Sequence, residues 1–441
     1  MNYLLNNFFR PCNKLITGMD GFNMLVPHSE CTTNQDMYEN YKAARGNIAL
    51  LKQNLLKISA STSDQMCNIF GLHPKLDNLK TLYDEKELLF IANMGILQQS
   101  GVTEQNWKKM HDETSLFAHN IQTEETANVD IFDKYAGIGV GGRILDVLAA
   151  NGYKTGAISV SGNAPPIVSK STPLLAVNPN GYEKFNPIVD NVAPNSDKKF
   201  GHDMTIELKD MNGATTVAST FYGDNWSEEL LKALSENSIL YDRMQKVTLN
   251  EEFPDSHFGR QMSSIAKLMK TEDIRGKDRD IFFVESGGWD MHLGIDLPLQ
   301  LAFEQTSSAL MAFRNEMKNM TVWDQVTVVI VSEFGRTLMG NTGNGSDHAW
   351  GGNYFIMGGG LAGGGGGKIL GTYPDDLTND SPIIFPPGIV IPTIPWESLW
   401  NPVAQWFGVG ESDLDKILPN RQQFADRLFS KADLYGEMND G

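Results

Sequence analysis

The sequence predicts an α/β protein built on a central, mostly parallel sheet sandwiched by helices. Two observations carry that prediction. Short apolar runs of strand length alternate with segments of helical periodicity along most of the chain. Several of those runs are apolar on nearly every residue, as strands covered on both faces require. Composition agrees: with 441 residues, 41% of them hydrophobic, the chain can bury a sizeable core as one body with insertions. Charged residues make up only 20% and glycines number 42, which fits a loop-rich globular protein and neither a coiled coil nor a disordered chain.

Taken in order, residues 15–27 read as a strand entering a glycine-containing turn, and residues 38–58 as an amphipathic helix with apolar positions three and four apart. A second helix over 76–83 leads into the buried strand LLFIANMG. Helical periodicity over 142–151 leads into the strand TGAISVSG. Residues 163–200, rich in Pro, Asn and Asp, read as an irregular excursion, the start of an insertion or lid over 163–260 within a single domain. Residues 226–271 are helical again, with a break near Phe253-Pro254. Then follow the strand DIFFVESGG, a helix over 299–320, and the strands VTVVIVSEFG and NYFIMGG. There is no internal repeat. The glycine run GGGLAGGGGGK fails as a phosphate loop, because Ala362 occupies the first glycine position and Ile369 follows Lys368. It reads as a flexible turn between two strands.

The formal net charge is -18 and the lysines and arginines are not clustered, so neither nucleic acid nor an anionic membrane is an expected partner. Some of the acidic residues are candidates for binding cations. Cys12, Cys31 and Cys67 show no CxxC spacing, which argues against a cysteine zinc site; one disulfide among them stays unassigned. No apolar run reaches transmembrane length, and the start of the chain lacks the charged start, apolar centre and cleavage site of an export signal.

Three motifs sit just past or just before apolar runs: SGGWDMH after the strand DIFFVE, SEFGRT after VTVVIV, and GSDHAWGG before NYFIM. Open parallel sheets place binding groups at the carboxyl ends of their strands. Two Asp/His pairs converging there, Asp290 with His292 and Asp347 with His348, would offer imidazole and carboxylate to zinc or manganese; carboxylate, carbonyl and water would suit calcium or magnesium. Glu333 and Arg336 could form an ordinary ion pair, or Arg336 could hold a substrate oxyanion with its planar fork. His28, His73 and His257 read as turn or packing residues, Arg143 as the ion-pair partner of Asp146, and Trp289 and Trp350 as pocket wall or core.

In that order, SGGWDMH, VIVSEFGRT and GNGSDHAWGGNYFIMGG resemble the family known as DUF1501. GMDGFNMLVP, FGLHPKLDNL, SLFAHN, GGRILD and the closing WFG and LPN extend the resemblance over nearly the whole chain. By resemblance that family falls in the alkaline phosphatase/sulfatase superfamily. This implies an alkaline-phosphatase-like core that cleaves or transfers phosphate and sulfate esters at paired divalent metals beside a Ser or Thr nucleophile. Carried over residue by residue, Asp20, Asp347 and His348 would bind one metal and Asp290 and His292 the other, with Glu333 behind them or bridging. His119 and Asn120 would bind metal or an oxyanion, as would Arg336 for the oxyanion.

The sequence departs from the pattern in three places. Ala118 stands where the family often has the candidate nucleophile, and Thr114 and Ser115 lie about one turn earlier, leaving water as the attacking group. No histidine follows His348 to complete a third-histidine site. The strand before Asp20 is short and carries no clear export signal, the mark of a truncated or divergent gene product, although the resemblance implies an exported or periplasmic protein. The expectation is a metal-dependent hydrolase of a small anionic ester. The second reading is a chain that keeps the fold and binds a metal or an anionic ligand, or serves in an assembly, without catalysis; Ala118 favours it.

Overall fold

A computed structural model describes residues 2–9, 18–33, 35–110, 116–133, 137–178, 210, 212 and 221–436. In chain order the strands used below are β1 (Asn2–Phe9), β2 (Leu25–Cys31), β3 (Leu56–Ser59), β4 (Cys67–Leu72), β5 (Leu88–Gly95), β6 (Thr155–Ser159), β7 (Leu174–Ala176), β8 (Arg279–Glu285), β9 (Val326–Ser332), β10 (Gly352–Gly358) and β11 (Ile369–Gly371). The central sheet runs β11-β5-β10-β9-β1-β8-β6-β7, with a ninth short strand, Ile394–Pro395, also pairing with β5. β10 is antiparallel to both its neighbours; every other pairing in this sheet is parallel. Helices flank it, and the protein is α/β with a mostly parallel central sheet, as its sequence predicts.

The apolar runs explain the centre of that sheet. Every residue of β5, β9 and β10 is buried, which needs cover on both faces. The helices Asp296–Asn319 and His257–Met269 pack on each other, and the helix Trp396–Phe407 packs on β1. The break at Pro254 is real: the helix Phe221–Met244 ends before it and His257–Met269 starts after it, capped by Ser256.

Two expectations are corrected and two fall in part outside the described residues. Of the strand and turn expected over 15–27, residues 15–17 lie outside the described residues; Gly21–Met24 is a single helical turn capped by Asp20, and Leu25 opens β2. The strand between β8 and β9 is β1, further upstream. The helix expected over 38–58 is Met37–Arg45 alone, ended by Gly46 at φ 56°, a conformation that glycine adopts without strain. Its downstream apolar positions, Ile48, Leu55 and Ile58, are buried through two short turns and β3. In the expected insertion, residues 179–209 lie outside the described residues, but Leu174–Ala176 is an edge strand of the main sheet. The glycine run does connect two strands, β10 and β11, but as a close-packed turn: a β-carbon on Gly366 would lie 1.8 Å from the Lys86 carbonyl oxygen.

β2, β4 and β3 form a small antiparallel sheet, and Cys31 and Cys67, partners in its register, are joined by a disulfide. Among the described residues no helix is long and apolar enough to cross a membrane.

Candidate functional site

β8 and β9 run parallel on either side of β1, so the segments after them leave the same edge of the sheet. The segment after β9 is tied to the one before β10: Thr337 N donates to Asp347 O at 2.9 Å, and Ala349 N to Gly335 O at 2.9 Å. The segment after β8 is fixed to the same loop, with Ser346 N donating to Met291 O at 3.2 Å and Ile295 N to Asn344 O at 2.8 Å. These backbone bonds bring Asp290, His292, Asp347 and His348 together. A third segment adds His119, the first residue of the helix His119–Asn128.

His348 Nε2 lies 3.1 Å from His119 Nε2, 3.0 Å from His292 Nε2 and 3.1 Å from Asp290 Oδ1. His292 Nε2 is 2.9 Å from the same Asp290 oxygen, and His119 Nε2 is 4.0 Å from Asp290 Oδ2. The other ring nitrogen of each histidine is held from behind. His119 Nδ1 donates to Glu333 Oε1 at 2.8 Å, His292 Nδ1 to Asp347 Oδ1 at 2.7 Å, and His348 Nδ1 to the Phe117 carbonyl at 2.9 Å. Phe117 sits at φ 74°, which aims that carbonyl and marks a locally strained backbone.

This pattern constrains the protons. An ionised carboxylate or a carbonyl only accepts, so each imidazole keeps its proton on Nδ1 and turns an Nε2 lone pair inward. Lone pairs about 3 Å apart repel unless a cation lies between them. Four tetrahedral ligands about 2.0–2.1 Å from a zinc ion stand roughly 3.3 Å from one another; the three contacts of His348 Nε2, at 3.0–3.1 Å, come near that spacing, while His119 and Asp290 stand wider at 4.0 Å. The ligand atoms of His119, Asp290 and His348 all lie within 4.8 Å of one another. Three neutral imidazoles and one carboxylate, with outer oxygens fixing each ring, fit a transition metal better than calcium or magnesium, which take oxygen ligands.

Asp290 is ready for that role. Burial pushes its carboxyl up, but the Arg336 guanidinium paired with it is among the neighbours that outweigh burial and hold it at about 2. Asp347 is likewise lowered: burial opposes, and hydrogen bonds from His292 and Asn341 prevail.

Other expected site residues stand elsewhere. Asp20 does not join His348. It is 1% exposed, caps Asn23 N at 3.0 Å, and pairs with the fully buried guanidinium of Arg45. It meets the cluster through Ser346, whose hydroxyl donates to Asp20 Oδ2 at 3.2 Å and accepts from Arg336 Nε at 3.4 Å. Asp347 stands behind His292 instead of completing a site with Asp20 and His348. Arg336 is fully buried and its donors go to Asp290 and Ser346, so it orients Asp290 and has no free face for an oxyanion. Glu333 stands behind His119 and also accepts from Ser332 Oγ at 2.8 Å. Asn120 is exposed one residue past His119. Ala118 is the helix N-cap and offers no side-chain cap; Thr114 and Ser115 lie outside the described residues.

Arg45, Ser346, Asn341 and the Phe117 carbonyl have no counterpart in the sequence reading. Arg45 left a trace: with Met37, Tyr38 and Tyr41 it falls on the apolar face of its helix, where an arginine needs a buried partner. The expected Arg143–Asp146 pair is absent. Arg143 donates to the carbonyls of Ile417, Ile138 and Asn128, while Asp146 accepts from Ser169 and Ser171. Trp289 and Trp350 are core residues, 1% and 0% exposed. His73 accepts from Lys75 N at 3.1 Å in a turn.

A family model described as a protein of unknown function, DUF1501, matches residues 233–379. That stretch includes Asp290, His292, Glu333, Arg336, Asp347 and His348; Asp20 and His119 lie outside it. No curated protein matches the chain. Among solved structures, the chain is similar to a phosphonate monoester hydrolase of Agrobacterium radiobacter, at 8% identity over 100% of this chain and 78% of that one, with a TM-score of 0.39. It is also similar to a protein of Bacteroides thetaiotaomicron described under the metabolism of multiple glycosaminoglycans, at 9% identity over 99% and 76%, with a TM-score of 0.38. A third is the lipoteichoic acid synthase LtaP from Listeria monocytogenes, at 12% identity over 88% and 78%, with a TM-score of 0.32.

Proposed function

We propose that this chain is a metal-dependent hydrolase of phosphate or sulfate esters, with zinc as the cation its donor set suits best. The observation that carries the reading is the inward convergence of three imidazole Nε2 atoms on Asp290, each ring fixed from behind by an acceptor. His119, His292, His348 and Asp290 would hold the cation. A divalent ion held by these residues would supply charge neutralisation at an ester oxygen and activation of water. The chain's own groups do the rest. Glu333, Asp347 and Phe117 keep the rings in one tautomer, and Arg336 keeps Asp290 ionised and turned toward them. Asn120, exposed and next in sequence to His119, would in this reading meet an ester oxygen with its amide. Ser332 and Ser346 donate to Glu333 and Asp20, and Ala118 has no hydroxyl, so the attacking group in this reading is water. The Cys31–Cys67 disulfide supports an oxidising compartment, outside the cytosol.

Ala118 also supports a second reading, a chain that binds the cation without turnover. One experiment separates the two: elemental analysis of the purified protein, then assays of p-nitrophenyl phosphate and p-nitrophenyl sulfate with wild type and His348→Ala. Bound zinc with turnover that His348→Ala abolishes is the expected result. Zinc without turnover selects the second reading, and absence of both metal and turnover overturns both.

A further inference from the structure

Beside the cluster lies a cavity of about 880 Å³, within the size range of small-molecule sites. Its walls continue the segments that supply the cluster. Two residues past His292 the chain enters the wall at Gly294 and Ile295, and Asn344, three residues before Asp347, faces it from the other loop. Ile48, Leu50 and Leu51 also line it.

Two leucines of the lining are largely exposed, Leu297 at 64% and Leu51 at 55%, and Leu293 and Leu301, outside the lining, are exposed at 76% and 48%. Leu297 and Leu301 stand one helical turn apart in the helix Asp296–Asn319, and Leu293 precedes them at the same spacing. Leu51 and Leu297 both line the cavity. Soluble proteins seldom leave such a row uncovered without a ligand or partner for it.

Charge narrows the occupant. The cavity is lined by one lysine, Lys75, and its ammonium is paired with Glu304 at 3.1 Å. The lining aspartate, Asp296, accepts from Gln300. The chain as a whole carries -18. The remaining polar lining is mostly amide, Asn23, Asn47, Asn54, Gln300 and Asn344, while Ile48, Leu50, Leu51, Ile295 and Leu297 give the wall an apolar strip that an uncharged aliphatic chain can follow.

We infer that this cavity binds the aliphatic alcohol portion of the substrate, so that the chain acts on amphiphilic esters: a charged phosphate or sulfate at the histidine cluster and an alkyl chain along Ile295, Leu297 and Leu51. The inference rests on the hydrolase reading for its reaction, but the cavity can be tested without turnover. Metal-free protein is titrated with the neutral dye N-phenyl-1-naphthylamine, and wild type is compared with Leu297→Glu and Leu297→Met. Saturable binding that Leu297→Glu weakens by about tenfold and Leu297→Met retains is expected, since a carboxylate set into the mouth must be desolvated by the dye. Wild type is then assayed with methyl, butyl and octyl phosphates and sulfates. kcat/KM should rise by about two- to fourfold per methylene, the upper figure following from about 0.8 kcal/mol per buried methylene, and Leu297→Glu should flatten that rise. Dye binding without turnover of any ester removes the hydrolase reading and leaves an apolar ligand site. Turnover with no dependence on chain length overturns the inference and leaves the hydrolase reading standing. Dye binding that is non-saturable, or unchanged in Leu297→Glu, overturns it as well.

Discussion

Asp20 is buried and Asp290 partly buried, each is paired with an arginine whose side chain is fully buried, and they differ in what else reaches them. Arg45, a backbone N–H and the Ser346 hydroxyl fill the shell of Asp20. Arg336 takes part of the shell of Asp290, and two histidine Nε2 atoms stand at the same Oδ1. A carboxylate surrounded by donors is complete as it stands. A carboxylate surrounded by lone pairs lacks a positive charge at its centre, and that separates a structural ion pair from a candidate metal site. Ser346 lies between the two systems, so the first can brace the second without sharing its ligands.

The comparison breaks most directly through stability. Asp20→Ala strands the guanidinium of Arg45 and should cost about 3–5 kcal/mol in urea denaturation, and Asp290→Ala should cost a similar amount by stranding Arg336. The double variant Asp20→Ala/Arg45→Met should recover much of that loss, because no unpaired charge remains. The two aspartates should part company in elemental analysis, where the folded Asp20 double variant keeps its zinc and Asp290→Ala does not. Loss of zinc from the Asp20 double variant would restore Asp20 as a ligand.

Next come the ligands themselves. Structural zinc sites bind with about 10–16 kcal/mol in all, so one of four ligands accounts for roughly 3 kcal/mol, on the order of a hundredfold in affinity. His348→Ala, His119→Ala and His292→Ala should each show a loss of that size in a competition titration against a zinc chelator. An undiminished affinity in His292→Ala, the most exposed of the three at 40%, would place it outside the site. One step further out, Glu333→Gln and Asp347→Asn should weaken zinc by about 10- to 100-fold. Glu333 should matter more, since its side chain is 1% exposed while that of Asp347 is 43% exposed and water can replace it.

Much of this was legible in the chain, and the misses share one cause. Runs such as LLFIANMG and VTVVIV announce their strands because a strand buried on both faces needs no polar residue. β1, NYLLNNFF, carries three asparagines, and only pairing with β8 and β9, residues far along the chain, makes it a central strand. The motifs at the strand ends were equally readable, but the pairings inside them were not. Asp347 and His348 are neighbours in sequence, yet one carboxylate backs His292 and the next side chain faces Asp290. Spacing brings a residue to the site; backbone direction decides which group it meets. His119 was named from SLFAHN, but the same segment holds His348 through the Phe117 carbonyl at positive φ, which no local signal announces.

A third carboxylate extends the comparison to a case with no adequate partner. Glu397 is 3% exposed in the first turn of the helix Trp396–Phe407. Burial pushes its carboxyl up to about 8; its own backbone N–H pulls the other way, Asp130 adds to the rise, and Arg143 opposes it weakly. The weakness has a visible origin, since Arg143 spends its donors on three carbonyls. With a folded value above the unfolded one, the native state holds a proton that the unfolded chain releases. The stabilisation is therefore complete below about pH 4.3 and is lost as pH rises toward 8, at no more than about 1.4 kcal/mol per pH unit. Glu397→Gln removes that slope. Urea denaturation of both proteins at pH 5.5 and pH 7.5 should show the variant gaining on wild type at the higher pH, while titrations common to both cancel in the difference. A difference that stays constant with pH would mean that Glu397 is ionised in the folded state and that Arg143, despite its carbonyl bonds, serves it as Arg336 serves Asp290.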